Sequence, residues 1–524
     1  MTWLGELASA VPGLHVSTGD ADRIAYARDA WPRRLLQSRA GHLGEGPRAI
    51  AWPTSVEQVA AIVRFAKSAR VPVVPYGAGS GVCGAVLPSS GSLVVDLKRL
   101  ARMRNIDRTG PFVEVEAGYM GIDLEKALAR EGFTAGHFPS SILCSTVGGW
   151  VAARGAGQCS GYYGKIEDIT AALELVTGDG RVVRLHRRTS DLDLVSLVVG
   201  SEGTMGIVTS AVLRLHPTPS RSFGAWSFPT TRDGWEAMRT LFQAGLRPAV
   251  ARLYDPFDAR IARRGGRGKG DAHPAGPSAP GRSGALLRAL LARPHRFNQL
   301  LDSRAAAWAL GGAMLVVVFE GAGESVAASM RSARGLLDSG TPARWIGEAP
   351  ARRWLDHRYS VSFRQSPVFV NRAFVDTMEV AAPWSRIDAL YDGVRRALGE
   401  HVFVMAHLSH AYPDGCCIYF SFAGAARGAS DEERDEQCIA VYDRAWSAAL
   451  RAANEAGGTI AHHHGVGRSK APFLRDELGE GVEALRAVMK AFDPAGIMNP
   501  GNLVPAAIPT PSPSTIETMP GPGR

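Results

Sequence analysis

The sequence predicts an α+β chain of more than one domain, and three observations carry that reading. Residues 72–100 (PVVPYGAGSGVCGAVLPSSGSLVVDLKRL) join a short strand to a second strand through a glycine-rich loop, with no helix between them. Up to Pro217, brief strand signals alternate with short helical patterns and further glycine-rich loops. Beyond Pro217 the helical patterns lengthen and the strands become isolated, which marks a second domain. A chain of 524 residues has room for about two to four domains and an ample buried core.

The elements follow in order. Ala49–Pro53 ends a strand, and Thr54-Ser55-Val56-Glu57 opens an amphipathic helix whose apolar face runs through Val63 and Ala66. Val71, Val73 and Val74 read as a buried strand. The loop after it places Gly77, Gly79, Gly81 and Gly84, with Ser80, where a backbone can approach a pyrophosphate closely. Gly79–Gly84 matches GxGxxG in letters, but that fingerprint needs a helix behind it. Pro88-Ser89-Ser90-Gly91 signals a turn instead, and Leu93–Leu97 a strand, so a Rossmann unit is excluded. Successive backbone N–H groups would then hold the anion in place of a helix dipole. The plain alternative is a glycine-rich hairpin with no ligand.

Further along, Phe112–Gly118 alternates as a strand and Asp123–Arg130 reads as a helix. Strand patterns return at Ala172–Thr177, Arg181–Leu185 and Gly206–Leu215, and Met314–Phe319 is a buried strand. Residues 263–284 are rich in Gly, Pro and Arg and read as a mobile excursion. Residues 285–301 (ALLRALLARPHRFNQLL) pair leucines with arginines at helical spacing. They suit either a core-facing cap helix or a basic amphipathic segment on a membrane. The Pro-, Ser- and Thr-rich stretch 506–524 is expected to be disordered.

The net charge is +9 and the pI about 9.4, which suits anionic substrates or an anionic membrane surface, or reflects only a genome that favours Arg and Ala. No nucleic-acid motif is present, so no nucleic-acid partner is expected. Cys83, Cys144, Cys159, Cys416, Cys417 and Cys438 show no CxxC, which disfavours disulfides and structural zinc. No signal-peptide pattern opens the chain. The uncharged run from Ala305 to Phe319 is shorter than the roughly 18–20 apolar residues of a spanning helix. A cytoplasmic protein is expected, with peripheral contact to the inner membrane face as an option.

Two more glycine- and hydroxyl-rich stretches offer donors to a flat ring or a pyrophosphate: 136–168 and 200–209. Near the C-terminus, His407-Leu408-Ser409-His410 leads into a strand with Tyr419, and His462-His463-His464 stands beside Gly-Val-Gly. On a strand, adjacent histidines face opposite ways, so only His462 and His464 would share a metal site. With no acidic cluster nearby, no metal is expected, and acid–base work suits imidazoles better. At least one of the three reads equally as a hydrogen-bonded structural histidine.

PYGAGSGVCGA (75–85), the Pro139-Ser140-Ser141 turn, STVGGWVAARGAGQ (145–158), YGKIEDI (163–169) and GSEGTMGIVT (200–209) together resemble the FAD-binding domain of the PCMH-type (vanillyl-alcohol oxidase) flavoproteins. Motif by motif they are similar to the alkyldihydroxyacetonephosphate synthases and their bacterial relatives, from about Trp52 to Leu503. The resemblance implies a two-subdomain PCMH-type FAD-binding domain over 46–217 and an α+β cap, or substrate, domain with an antiparallel sheet over 218–455. A helical segment over 1–45 would precede them, and residues 456–505 would return to the active site.

It also implies FAD, held non-covalently because no histidine lies in or near the cradle. Pro75, Gly77, Ala78, Gly79, Ser80, Gly81 and Val82 would hold the pyrophosphate. Pro139, Ser140, Ser141, Ser145, Gly148, Gly149 and Ala153, with Glu202, Gly203, Gly206 and Ile207, would flank the rest of the cofactor. His137 and Thr146 would lie on the flavin side.

By the same resemblance, Tyr419 would be the catalytic hydroxyl, His462, His463 and His464 the polar cluster, and Arg252 and His407 substrate contacts. Arg364 would bind a phosphate, with Arg372 as its competitor. Members are often dimers, so a homodimer is an expectation.

The departures matter. Where flavin-dependent 2-hydroxy-acid dehydrogenases read roughly HxGDGNxH and SGEHGIG, this chain has HLSHAYPDG and AHHHGVG, so His463 replaces a metal-binding glutamate. Where the synthases have Glu-Pro-Asp, this chain has Phe138-Pro139-Ser140. The implied activity is exchange of the acyl group of acyl-dihydroxyacetone phosphate for a fatty alcohol, with no net redox at FAD. The alternatives are an FAD-linked oxidoreductase acting on a hydroxy acid such as D-lactate or glycolate, and a flavin-binding subunit without turnover.

Overall fold

The chain's apolar runs assemble into three main sheets, seen in a computed structural model that describes residues 3–187, 192–264, 282–303, 306, 309–359 and 365–505. Arg364, the stretch 506–524 and most of 263–284 lie outside the described residues.

Strands β1 (His15–Ser17), β2 (Ala49–Trp52), β3 (Val73–Tyr76) and β4 (Leu93–Asp96) form a first sheet in the order β1-β2-β4-β3. β2, β4 and β3 run parallel, and β4 is buried along its whole length, as a strand covered on both faces must be. Helix Val56–Ala69 links β2 to β3. Ser55 caps it by accepting from the Gln58 amide, and Val59, Ala60, Ile62, Val63 and Ala66 are buried. Neighbouring parallel strands require a crossover. Between β3 and β4 the crossover is the glycine-rich loop 77–92 itself, which rules out the hairpin alternative.

Strands β5 (Met103–Asp107), β6 (Phe112–Glu116), β7 (Phe133–Thr134), β8 (Thr170–Thr177), β9 (Val182–His186), β10 (Gly206–Arg214) and β11 (His216–Pro217) come next. Five of them form an antiparallel sheet, β5-β6-β10-β8-β9, and β7 pairs with β11. The seven strands that follow are β12 (Ser220–Phe228), β13 (Val250–Tyr254), β14 (Ala313–Gly321), β15 (Arg344–Trp345), β16 (Phe374–Pro383), β17 (Phe403–Ala411) and β18 (Gly415–Gly424). They build an antiparallel sheet in the order β15-β12-β14-β13-β17-β18-β16.

Period-two alternation sorts the two faces of that large sheet. Ala251, Leu253, Met378, Val380, Ala406, Leu408, Ile418 and Phe420 enter a core shared with residues of helices Thr231–Gln243, Gly323–Gly340, Ile387–Gly399 and Asp431–Glu455. Their odd–even partners Arg252, His407, Tyr419 and Glu379 face the other way.

The C-terminal segment crosses both domains. Thr459 bridges to Ala381 on the edge strand β16, and Met498 bridges in parallel to Val73 on β3. The segment read as one unit over 285–301 is two helices, Arg282–Leu291 and Pro294–Leu301, because Pro294 has no N–H to continue the first and starts the second. Leu291, Leu287, Phe297 and Leu301 pack against Phe403, while Leu290 and Leu300 stay exposed. Among the described residues no helix is long and apolar enough to cross a membrane.

Candidate active site

The crossover loop lies just past the C-terminal end of β3, where open α/β sheets expose backbone to ligands. Gly79 and Gly84 have φ of +66° and +76°, the left-handed region that side chains avoid. A Cβ on Gly77 would stand 2.4 Å from Thr146 Oγ1, and one on Gly203 would stand 2.9 Å from Pro75 Cγ. Bare backbone at those two points lets the three glycine-rich stretches meet. The amides of Ala78, Gly79, Ser80 and Val82 find no acceptor among the described residues. A row of unspent donors beside tight glycines fits a pyrophosphate.

His137 adds a second mark of fit. It is fully buried, neither ring nitrogen has a partner, and its ring sits 4.6 Å from that of Trp150. Burial pushes its pKa down to about 3, so a neutral imidazole waits there for a polar partner.

Some predicted cofactor contacts are engaged elsewhere. Ser145 Oγ accepts from Trp150 Nε1 at 2.8 Å, and Ser140 Oγ from Gln158 Nε2 at 3.1 Å. Gly148 donates its amide to Ala117 O, Gly149 donates to Thr146 Oγ1, and Ala153 donates to Gly149 O. Ser141 O accepts from the Cys144 amide of the short turn Ile142–Cys144, and Pro139 O accepts from Ile142. A Cβ on Gly206 (φ +143°) would stand 2.3 Å from Val176 O, and the Ile207 side chain is buried in the domain core. Glu202 is a clasp. Its carboxylate accepts from the amides of Val466 (2.6 Å) and Gly467 (2.9 Å) and from Asn502 Nδ2 (2.8 Å).

The polar face of the large sheet gathers most of the remaining predicted site residues. Register sets Tyr254 opposite His407, His407 opposite Tyr419, and Tyr419 opposite Glu379, one row across β13, β17, β18 and β16. The rings of His407 and Tyr419 stack at 4.8 Å and 15°. Arg252 Nη2 donates to His407 Nε2 at 2.6 Å, and His407 Nδ1 faces Asp258 Oδ2 at 3.2 Å. A bulge inserts His410 (φ +52°) between Ser409 and Ala411, re-aiming its ring toward Ser160 Oγ at 2.8 Å.

The triple histidine meets this row from residues 462–464, which form no strand. Tyr419 Oη hydrogen-bonds His463 Nε2, and His463 Nδ1 lies 2.9 Å from His462 Nδ1. Glu379, fully buried, accepts from the amides of His462 (2.8 Å) and His464 (2.9 Å) and from Lys470 Nζ (2.8 Å). Burial alone would raise the Glu379 pKa, but the Lys470 charge and these donors hold it below the usual value. Burial lowers the histidines, to about 3 for His410 and His462 and to about 4 for His464, with His407 and His463 also well down. Burial likewise lifts the Tyr419 phenol far above its ordinary value. At neutral pH the site is a neutral hydroxyl facing neutral imidazoles, with the Arg252 guanidinium against His407 and Lys470 against Glu379.

Tyr419, His463, His462, His407 and Arg252 are thus one contiguous group, with His464 5.6 Å from the Tyr419 ring. Arg372 is not part of it, because its guanidinium is paired with Asp431 (3.0 Å) and Asp435 (2.5 Å). Arg364 lies outside the described residues. The metal geometry also differs from the expected one. His462 and His463, not His462 and His464, converge, and with Cys417 their ligand atoms lie within 4.8 Å of one another. The strand assumption failed because residues 462–464 form a bend, with the amides of His462 and His464 both held by Glu379.

Residues 47–186 match the family described as "FAD binding domain", and residues 218–503 match "FAD linked oxidases, C-terminal domain". The chain is 29% identical over 490 residues to an alkyldihydroxyacetonephosphate synthase of Trypanosoma brucei brucei, covering 90% of this chain and 76% of that one. It is 27% identical over 500 residues to the glycolate oxidase subunit GlcD of Bacillus subtilis (strain 168), covering 92% and 93%. A solved alkyldihydroxyacetonephosphate synthase superposes with a TM-score of 0.73 at 25% identity, over 95% of this chain and 84% of that one. Substrate-bound p-cresol methylhydroxylase, at 14% identity and a TM-score of 0.68, shares the fold. With unspent amides in the cradle and more than half the chain matched by one of the two families, this protein belongs to the FAD-linked oxidases and is an FAD-dependent enzyme of PCMH-type fold.

Proposed function

We propose that this enzyme exchanges the acyl group of an acyl-dihydroxyacetone phosphate for a fatty alcohol, as the activity named for its synthase relatives implies. The observation that carries the reading is the Tyr419–His463 hydrogen bond, with an imidazole where the hydroxy-acid enzymes resembled here would have a metal-binding carboxylate. The Tyr419 phenol is neutral, so it acts by passing its own proton to His463 Nε2 while taking one from the substrate carbon. Arg252, steadied by His407 and with a buried, unpartnered Nε, offers a forked contact to the substrate's anionic group. Bound FAD supplies a ring nitrogen able to capture that carbon, or a hydride acceptor. Cys83, the thiol in the cradle, is buried and pushed up to about 12, which supports a non-covalent flavin. Exposed Leu290 and Leu300 on the two helices of 282–301 support contact with a lipid surface.

The test is anaerobic mixing of the yellow protein with 1-acyl-dihydroxyacetone phosphate, then hexadecanol. Alkyl-ether product without any electron acceptor is expected. An inert spectrum, followed by bleaching with glycolate or D-lactate, would move the assignment to an FAD-linked oxidoreductase. That second reading is favoured by the full-length likeness to GlcD.

A further inference from the structure

Four nitrogens of two rings lead away from Tyr419. His463 Nε2 takes its hydroxyl, His463 Nδ1 meets His462 Nδ1 at 2.9 Å, and His462 Nε2 is left without a partner among the described residues. His462 also lines a cavity of about 540 Å³ together with Lys165, Tyr412, Asp414, Asp476 and Glu477. Asp414 and Asp476 are exposed, so this cavity opens at the surface with carboxylates at its mouth. The other imidazoles are tied differently: His410 Nδ1 bonds Ser160, and the His464 ring makes no hydrogen bond to Tyr419.

We infer that His462 is the outlet of a proton path from Tyr419 through His463 to water in the cavity lined by Asp414 and Glu477. The inference rests on the proposed function only in needing a substrate proton at Tyr419, which both readings of the reaction supply. The hops balance. As the substrate carbon gives its proton to Tyr419 Oη and keeps the electron pair, Tyr419 releases its own to His463 Nε2. His463 Nδ1–H passes to His462 Nδ1, and His462 Nε2–H, buried and unpartnered, passes to a water drawn in from the cavity. Each imidazole ends neutral, in its other tautomer, and reprotonation of carbon by the reverse hops restores both. The depressed histidine pKa values support this, since every ring keeps a free lone pair at neutral pH.

The experiment uses FAD-loaded enzyme with whichever substrate the wild type turns over, so failure of the proposed function shows in the wild type alone. His462→Ala should keep its flavin spectrum and KM while turnover falls about tenfold to a hundredfold. Added imidazole, entering the vacated space, should restore most of the rate. Unchanged turnover in His462→Ala would overturn the path, as would a loss that imidazole does not rescue. His464→Ala removes a neighbouring ring outside the path, and its rescue to the same degree would equally overturn it.

Discussion

Lys470→Met would leave the Glu379 carboxylate buried with its counter-charge gone. Both side chains have 0% exposure and meet at 2.8 Å, so no water screens the pair. Removing one partner of a fully buried pair costs about 3–5 kcal/mol, a large share of the roughly 5–15 kcal/mol by which a domain is stable. The loss reaches the site, because Glu379 also holds the amides of His462 and His464 at 2.8 and 2.9 Å. Urea unfolding at pH 7 of wild type, Lys470→Met, Glu379→Gln and the double variant closes a thermodynamic cycle. Each single change should be costly, and the double variant should cost clearly less than their sum. Strictly additive losses, or a Lys470→Met cost below about 1 kcal/mol, would refute the reasoning. The pH signs differ for the partners. Glu379 has a folded pKa below its free value of 4.5, so its contribution is full above that and disappears as pH falls through the folded value. Lys470 has a folded pKa above 10.5, so its contribution is full below that and disappears as pH rises past the folded value.

Tyr419→Phe should keep the flavin spectrum and lower turnover by about 10²–10⁴-fold; a smaller loss would remove the hydroxyl from the chemistry. Gly79→Ala puts a methyl 1.9 Å from Tyr76 Oη at a φ of +66° and should purify without its yellow colour, whereas Gly91→Ala, with nothing within 4 Å, should retain FAD. Because His137, His410 and His462 are each depressed to about 3 in the fold, the unfolded chain binds more protons below about pH 6.5. Stability of the flavin-free protein should therefore fall on acidification from that point, by up to about 1.4 kcal/mol per pH unit for each such histidine, and a flat profile from pH 6.5 to 5 would contradict the burial. Dialysis against a chelator should change neither turnover nor flavin spectrum, since the facing nitrogens of His462 and His463 already satisfy one another. Stoichiometric zinc at Cys417, His462 and His463 would count against it.

The local elements were legible because local chemistry decides them: Ser55 before a helical apolar stripe, or the uninterrupted Leu93–Val95 run of a strand covered on both faces. Long-range pairing was not. Nothing within residues 72–100 shows that their two strands run parallel, since helix Val56–Ala69 carries the chain from β2 to β3 and leaves the gap between them that β4 fills. In the site, the family resemblance named Arg252, His407 and Tyr419, but that they share one face of β13, β17 and β18 follows only from the sheet register. His410 escaped it because a bulge breaks the alternation at that residue, and a positive φ at histidine leaves no compositional trace. Glu379 and Lys470 escaped for another reason. They are 91 positions apart, and only the folded chain brings an acid in one strand to a base in a short helix.

The clasp around Glu202 also governs timing. Asn499 Nδ2 donates to Ala85 O, 414 positions earlier, and to Glu202 O, while the Asn499 amide donates to Val73 O. The strand that carries the phosphate loop is therefore edged by some of the last described residues to leave the ribosome. A nascent chain can form the parallel sheet early, but its free edge stays open until residue 499 emerges. Flavin capture is accordingly expected to come late, after the closing of a very long loop.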